Sequence, residues 1–465
     1  KKKIDIKFKE FFGENKDSFD IKIFFEEVFN ENGGFDIVIG NPPYVALQKI
    51  KDDKLKKIYK NNYKVFTGNT DLYCLFIELG ESILSEQGSL GFITSNKWIK
   101  TSYGKPLRKY ILDNTEIIKL IDLKSLKIFK KADVDTSIIF FKKGNSLDLK
   151  FVHIDESKFN ENIEQSFSDI TNINLDKLYD PWVLAGAKEI DLFWKVKKMT
   201  NLLDIDRDAY RYGIKTGLND VFLISEVKKN ELINLDSKNS KIIKPCLRGT
   251  DILNYSFNKK VDYLIYIPWH FPINTRNVVG ASLEAEKKFK SDFKVLYDYM
   301  MQFKDLLKKR NKSETGKVYE WYCLQRAASS YYEDFNKTKV VWMNLNRGWK
   351  FSHVPKGYFL DNTLSFIGNN TFSKFLTGIF SSSLHKWYFK HIGTMFDDGG
   401  FMCKVDTISQ FPLVKPSKTQ KEKVERYVDI LSNNFDLDVQ EKLNLLVMDI
   451  YDLKNSEKNI INSMM

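Results

Sequence analysis

In the stretch Phe35-Asp36-Ile37-Val38-Ile39-Gly40-Asn41-Pro42-Pro43-Tyr44 a strand runs into a stop. Asp36 aside, Phe35 to Ile39 is a short β-branched apolar run, the pattern of a strand covered on both faces. Gly40 and two prolines forbid either strand or helix from continuing. The strand therefore ends in a rigid polar tip: Pro42 and Pro43 fix two φ angles, lack N–H groups and push the residue before each toward extended geometry. The carbonyls and the Asn41 amide are expected in one arrangement, with the flat ring of Tyr44 beside them.

Working outward, the next segments set the frame. Lys49 to Lys64 mixes Asp and Lys and reads as a solvated helix. Asp71 to Leu84 reads as a helix, with Leu72, Leu75, Phe76, Leu79 and Ile83 on one face and Asp71 in its first turn, where a carboxylate opposes the helix dipole. Gly88 to Thr94 reads as a buried strand, Ser102 to Leu112 as a helix, Ile117 to Leu123 and Thr136 to Phe141 as strands, with Gly144-Asn145-Ser146 ending the sheet. This alternation predicts an α/β doubly wound, Rossmann-like sheet. Ligands of such sheets bind beyond the carboxyl ends of the strands, where the tip lies.

That tip suits the gripping of a planar base with an exocyclic amino group. The Asn41 amide oxygen and the Pro42 carbonyl can each accept one N–H bond of that group, bending the nitrogen toward tetrahedral geometry and localising its lone pair. Tyr44 would stack on the base, and a base held this way has first to be flipped out of a duplex.

Asn41-Pro42-Pro43-Tyr44 at a strand end resembles the fourth motif of the amino-group DNA methyltransferases. The resemblance implies adenine N6 as the methylated atom, Asn41, Pro42, Pro43 and Tyr44 as catalytic residues, and S-adenosylmethionine as the methyl donor. It also implies that Phe129, in the loop Ile128-Phe129-Lys130-Lys131-Ala132, stacks on the face of the base opposite Tyr44, and that Asp71 and Tyr73 lie near the donor. Nothing before Phe35 supplies the family's glycine-rich donor turn and acidic ribose partner, since Gly33-Gly34 belongs to the approach to the motif strand. The expectation is a truncated catalytic domain, inactive by itself, whose donor motif lies upstream.

From about Phe151 the chain turns polar and asparagine-rich as far as Pro181-Trp182, and a helix is expected from Lys188 to Met199. Segments from Tyr212 to Val414, including Tyr212-Gly213-Ile214-Lys215-Thr216-Gly217 and Lys244-Pro245-Cys246-Leu247-Arg248-Gly249, are similar to the specificity domain of TaqI-like methyltransferases and fused restriction-modification enzymes. The expected division is residues 1–150 catalytic, 151–187 connector, 188–414 a mixed α+β target-recognition domain and 415–465 carboxyl-terminal helices, at Lys421 to Leu431 and Val439 to Leu453. Lys215, Arg248, Arg326, Arg347 and Lys404 are placed to meet phosphates or bases of double-stranded DNA. Trp321, Tyr322, Trp342 and Trp349 read mostly as core.

Composition bounds the rest. The chain has 465 residues and 73 Lys+Arg against 61 Asp+Glu, a net charge of +12 that fits a polyanionic partner. Its four cysteines, Cys74, Cys246, Cys323 and Cys403, form no C-x-x-C pair, and the five histidines are scattered, so no metal site is expected and a reducing cytoplasm is. No apolar run has membrane-spanning length. The loosely nuclease-like triplets Glu226-Val227-Lys228 after Asp220, and Glu156-Ser157-Lys158 after Asp155, lack a strand setting. Two rival readings stand beside the methyltransferase: an idle DNA-binding module on a remnant sheet, and a methyltransferase acting on amino groups of RNA or protein.

Overall fold

The computed structural model describes residues 20–123, 126, 128–129, 135–145, 148–154, 170–175, 178, 181–199, 203, 205–274, 280–311, 319–396 and 399–464. The triplet at Glu156 to Lys158 and most of the proposed connector lie outside them. The chain divides into two compact units, Lys1–Asp191 and Leu192–Met465.

In the first unit the strands β1 (Phe35–Gly40), β2 (Leu84–Ser95), β3 (Thr115–Asp122), β4 (Thr136–Lys143), β5 (Asp148–His153) and β6 (Thr171–Asn174) form one sheet in the order β1-β2-β4-β3-β5-β6. β1 and β2 are parallel, as are β3 and β5, and β4 runs antiparallel between β2 and β3. The sheet is α/β but mixed. Only a parallel neighbour needs a crossover, and β4 returns from β3 through the loop carrying Phe129, so it enters reversed. The sheet does not end at Gly144: β5 and β6 extend it past residue 150.

The helices lie close to their expected positions. Asp53–Asn62 is solvated, with no buried residue among those described, and Asp52 caps it by accepting from the backbone N–H groups of Lys54 and Leu55. Leu72–Ser82 packs closely on β2 at Gly80, where a Cβ would lie 2.4 Å from a Leu90 methyl. Glu78, buried on this helix, is satisfied by the backbone N–H groups of Lys64 and Val65, each at 3.0 Å. Lys105–Asn114 comes after a short turn at Ser102–Gly104. One expectation fails. β1 is not covered on both faces: Ile37 and Ile39 are 70% and 77% exposed, because β1 is the edge strand of the described sheet and no described element lies over that face.

The second unit holds two four-stranded sheets. One pairs β14 (Phe359–Leu360), β9 (Ile243–Leu247), β10 (Asp262–Ile265) and β8 (Leu223–Ile224) in that order; the other pairs β13 (Phe351–Val354), β11 (Lys339–Met343), β15 (Leu364–Gly368) and β7 (Tyr210–Tyr212). A two-stranded ribbon joins β12 (Leu345–Asn346) to β16 (Phe401–Met402). Helices Lys418–Asn433 and Leu437–Ile450 lie near the expected positions, and a third, Asn455–Asn462, comes after them. They pack on this unit through Lys374–Asp429 at 2.7 Å, the Asn444 side chain accepting from the Ser383 N–H, and Gly378, where a Cβ would lie 2.6 Å from Val424.

Lys339 is fully buried in β11, its amine donating to the Phe335 carbonyl at 2.9 Å and the Pro355 carbonyl at 3.1 Å. Burial pulls its pKa from 10.5 down to about 7. Above pH 10.5 the lysine is neutral in both states and costs nothing; between 10.5 and about 7 the unfolded chain holds a proton that the folded chain has lost, and the penalty grows as pH falls. Stability therefore changes with the sign of the proton difference: the unfolded state binds more protons, and the folded state gains as pH rises through this window. Relative to Lys339→Met, the parent should gain about 2 kcal/mol of stability between pH 7 and pH 9. Urea unfolding of both proteins at the two pH values checks this, and parallel behaviour would refute it.

Candidate active site

The motif tip is built by β1 and tied to the next helix. β1 registers Ile39 against Gly91 and Gly40 against Phe92, so the chain leaves the sheet at its carboxyl edge. Beyond it Leu47 N–H donates to the Thr70 carbonyl at 3.0 Å and Leu72 N–H to the Val45 carbonyl at 2.8 Å, fastening the tip to the start of helix Leu72–Ser82. Pro42 is buried, while Asn41 and Pro43 are exposed. The prolines stiffen the backbone as expected, yet no described residue hydrogen-bonds the Asn41 amide, which faces solvent. The backbone is held; the side chain is not.

Tyr44 is half-buried, its hydroxyl donating to the Ile93 carbonyl at 3.3 Å, and burial pushes that hydroxyl up to about 12. It is a neutral phenol at ordinary pH. Its ring meets Phe129 at 6.1 Å and 82°, and Tyr73 at 6.0 Å and 80°. The structure thus brings Tyr44 and Phe129 together, some 85 residues apart in sequence, but edge to face.

Asp71 and Tyr73 lie beside the tip, where Ala46 bridges Asp71 and the ring of Tyr73 meets that of Tyr44. Asp71 occupies the helix N-cap but caps nothing; its carboxylate accepts from the Tyr103 hydroxyl at 2.9 Å, which is 2.8 Å from the Tyr73 hydroxyl. Burial raises the pKa of both phenols. Tyr73 is fully buried, with its ring against that of Tyr44. Tyr103 had no signal in the sequence, because its partners come from a different helix.

A cleft of about 310 Å3 opens beside the tip, lined by Gly40, Asn41, Pro42 and Pro43 and, from the helix, Phe76 and Leu79. Of the face expected at Leu72, Leu75, Phe76, Leu79 and Ile83, Leu75 and Ile83 are buried, but Phe76 is 39% exposed and Leu72 and Leu79 are half-buried, while Tyr73, Cys74 and Ile77 are buried as well. A helix covering one sheet face needs one apolar stripe. The second stripe was the available signal that this helix lines a site.

In the second unit, Lys215 and Arg326 are neighbours: Lys215 N–H donates to the Arg326 carbonyl at 3.1 Å and Arg326 N–H to that of Lys215 at 2.9 Å. Arg248 is exposed and 3.5 Å from Asp262. Arg347 and Lys404, both exposed, sit at opposite ends of the β12–β16 ribbon. Tyr322, Trp342 and Trp349 are core, with the indoles of Trp342 and Trp349 donating to the carbonyls of Cys403 and Phe380, each at 2.8 Å, and Trp321 is half-buried. Asp220 and Glu226 lie on helices, so that triplet has no strand setting. Among the described residues no group of three His, Cys, Asp or Glu could hold a metal ion, all four cysteines are buried and unbridged, and no helix is long and apolar enough to cross a membrane.

The first unit carries an Asn-Pro-Pro-Tyr tip at the carboxyl edge of its sheet, and the second is a separate α+β unit. Residues 1–129 match the Eco57I restriction-modification methylase family and residues 244–413 the TaqI-like C-terminal specificity domain, and the chain carries both. It is 24% identical over 451 residues to the type II methyltransferase M.BstVI of Geobacillus stearothermophilus, covering 92% of this chain and 75% of that protein. It is 27% identical over 417 residues to the type II restriction enzyme and methyltransferase RM.Eco57I of Escherichia coli, covering 82% of this chain and 41% of that protein. The fold is similar to that of the type IIL restriction-modification enzyme MmeI, solved in complex with DNA, with a TM-score of 0.58 and 14% identity over 92% of this chain and 57% of that one.

Proposed function

We propose that this protein is a site-specific DNA methyltransferase of a restriction-modification system that methylates N6 of a flipped-out adenine. The observation that carries the reading is the exposed Asn41 amide at the carboxyl end of β1, with the rings of Tyr44 and Phe129 meeting beside it. In this reading Asn41 and the Pro42 carbonyl accept from the adenine amino group, and Tyr44 and Phe129 hold the base by its faces. S-adenosylmethionine, when bound, supplies the electrophilic methyl group. The apolar cleft beside the tip fits a flat heterocycle of the donor, with Pro43 and Phe76 as its walls. The buried, unbridged cysteines fit a reducing cytoplasm. The test is transfer of labelled methyl to duplex DNA by the full-length protein, with the product nucleoside identified. 6-Methyladenine is expected; 4-methylcytosine, or no transfer with DNA binding intact, would overturn the assignment.

The second unit is read as the part that selects the site. If Lys215 and Arg326 meet phosphates, Lys215→Ala and Arg326→Ala should each lower the slope of log K against log salt by about 1, equally for all sequences. Binding titrations at several salt concentrations check this, and an unchanged slope removes both residues from the interface.

A further inference from the structure

The turn Ser102–Gly104 holds Tyr103 on a firm seat. Gly104 packs against the backbone ahead of it, where a Cβ would collide with the Trp98 carbonyl oxygen, and its N–H donates to the Thr101 carbonyl at 3.2 Å. The buried Arg108 guanidinium donates to that same carbonyl at 2.9 Å and to the carbonyl of Trp98. A ring mounted there carries its hydroxyl to a nearly fixed point. At that point it meets two residues of another element, Asp71 Oδ2 at 2.9 Å and the Tyr73 hydroxyl at 2.8 Å.

One proton settles the direction of both bonds. Tyr103 donates its only hydroxyl proton to Asp71, so in the second bond it accepts from Tyr73. Asp71 is committed to this bond against its usual habit: it is the N-cap of Leu72–Ser82, where aspartate ordinarily accepts from the first N–H groups of the helix, and it makes no such bond. It is also tied to the tip, through its bridge to Ala46 and through the Leu72 N–H, which donates to the Val45 carbonyl at 2.8 Å. The buried ring of Tyr73 then meets that of Tyr44 at 6.0 Å and 80°, while the Tyr44 hydroxyl is held by the Ile93 carbonyl at 3.3 Å. From the turn to the motif ring the path is continuous: Tyr103, Tyr73, Tyr44.

We infer that Tyr103 is a positioning residue for the target base: its hydroxyl holds the Tyr73 ring in place, and that ring sets the tilt of Tyr44. This rests on the reading of Tyr44 as a ring that stacks on the base. Tyr103→Phe deletes one oxygen and takes the acceptor from a buried donor, which can seek another only by moving the Tyr73 ring. The double variant Tyr73→Phe, Tyr103→Phe removes both hydroxyls and leaves no buried donor behind, and Asp71, half-buried, can turn to water.

The experiment uses the full-length protein, methyl transfer to the duplex that the parent methylates, and the emission of that duplex with 2-aminopurine at the target base, bright when extruded and quenched by a ring stacked on it. Tyr103→Phe is expected to lower kcat about tenfold, the size of one hydrogen bond, with KM for DNA within about twofold, and to brighten the extruded base. The double variant should restore the quenching and return kcat to within about threefold of the parent's. A purely structural role would lower the melting temperature and move neither readout. If Tyr103→Phe is unfolded at the assay temperature, parent and variants are compared at a lower one where melting curves show all of them folded. The inference is overturned if Tyr103→Phe matches the parent while Tyr44→Ala loses kcat and quenching, or if the double variant recovers neither. If Tyr44→Ala also matches the parent, the stacking reading has failed, and this inference with it.

Discussion

Asn41→Ala is expected to lower methyl transfer by about a hundred- to a thousandfold while leaving DNA affinity near the parent's. An adenine amino group shares its lone pair with the ring and is a poor nucleophile. Two acceptors drawing on its two N–H bonds free that pair, and their stabilisation is felt mainly as the nitrogen attacks, so their loss falls on kcat. Alanine leaves the Pro42 carbonyl, which is fixed in the backbone, and deletes the exposed amide that the tip presents at the carboxyl edge of β1. Asn41→Asp keeps an acceptor oxygen and should retain more activity than alanine. Single-turnover transfer of labelled methyl separates the chemical step from binding, and an alanine variant with the parent's rate would refute the role given to Asn41.

Gly213→Ala is expected to destabilise the second unit by about 3 kcal/mol or more, enough to populate unfolded protein at growth temperature. Gly213 stands where the chain leaves β7 and switches partners: Tyr212 pairs with Ser365 of β15, and Ile214 bridges Asp361, just after β14 in the other sheet. Its N–H donates to the Leu364 carbonyl at 2.9 Å, and Ile214 N–H to that of Leu360 at 2.7 Å. A Cβ at this point would sit 1.8 Å from the Asp361 carbonyl oxygen, which is backbone and cannot swing aside. Relief would require prising the two sheets apart and would shift Lys215 from Arg326. Chemical denaturation of parent and variant measures the loss, and a difference under about 1 kcal/mol would mean that the junction yields easily.

How far the sequence reaches differs between particular elements. The motif strand, the solvated helix Asp53–Asn62 and the strands at 84–95, 115–122 and 136–143 were legible, since each depends on local periodicity and on where glycine and proline interrupt it. The reversal of β4 was not, nor was the extension through β5, because a strand's direction and neighbours are set by pairing across the sheet. The helix at Leu72–Ser82 shows the limit most clearly. Its periodicity marked an apolar face, but with apolar residues on two faces only packing could decide that Tyr73 goes to the core and Phe76 to the cleft. Tyr103 was missed for a related reason: its significance lies in side-chain partners on another element, and a tyrosine in a turn looks the same whatever it touches.

What the letters determined by themselves was the chemistry at the tip. Asn41, Pro42, Pro43 and Tyr44 are adjacent in the chain, so peptide geometry and proline stiffness put an amide, a carbonyl and a ring side by side whatever surrounds them. What only the tertiary structure decided was the company they keep: Phe129 at 6.1 Å and 82° from Tyr44, the Asp71–Tyr103–Tyr73 chain beside it, and the open face of β1. Those depend on contacts between residues far apart in sequence, and such contacts arise from the closing of the sheet and the packing of its helices, which no local pattern encodes.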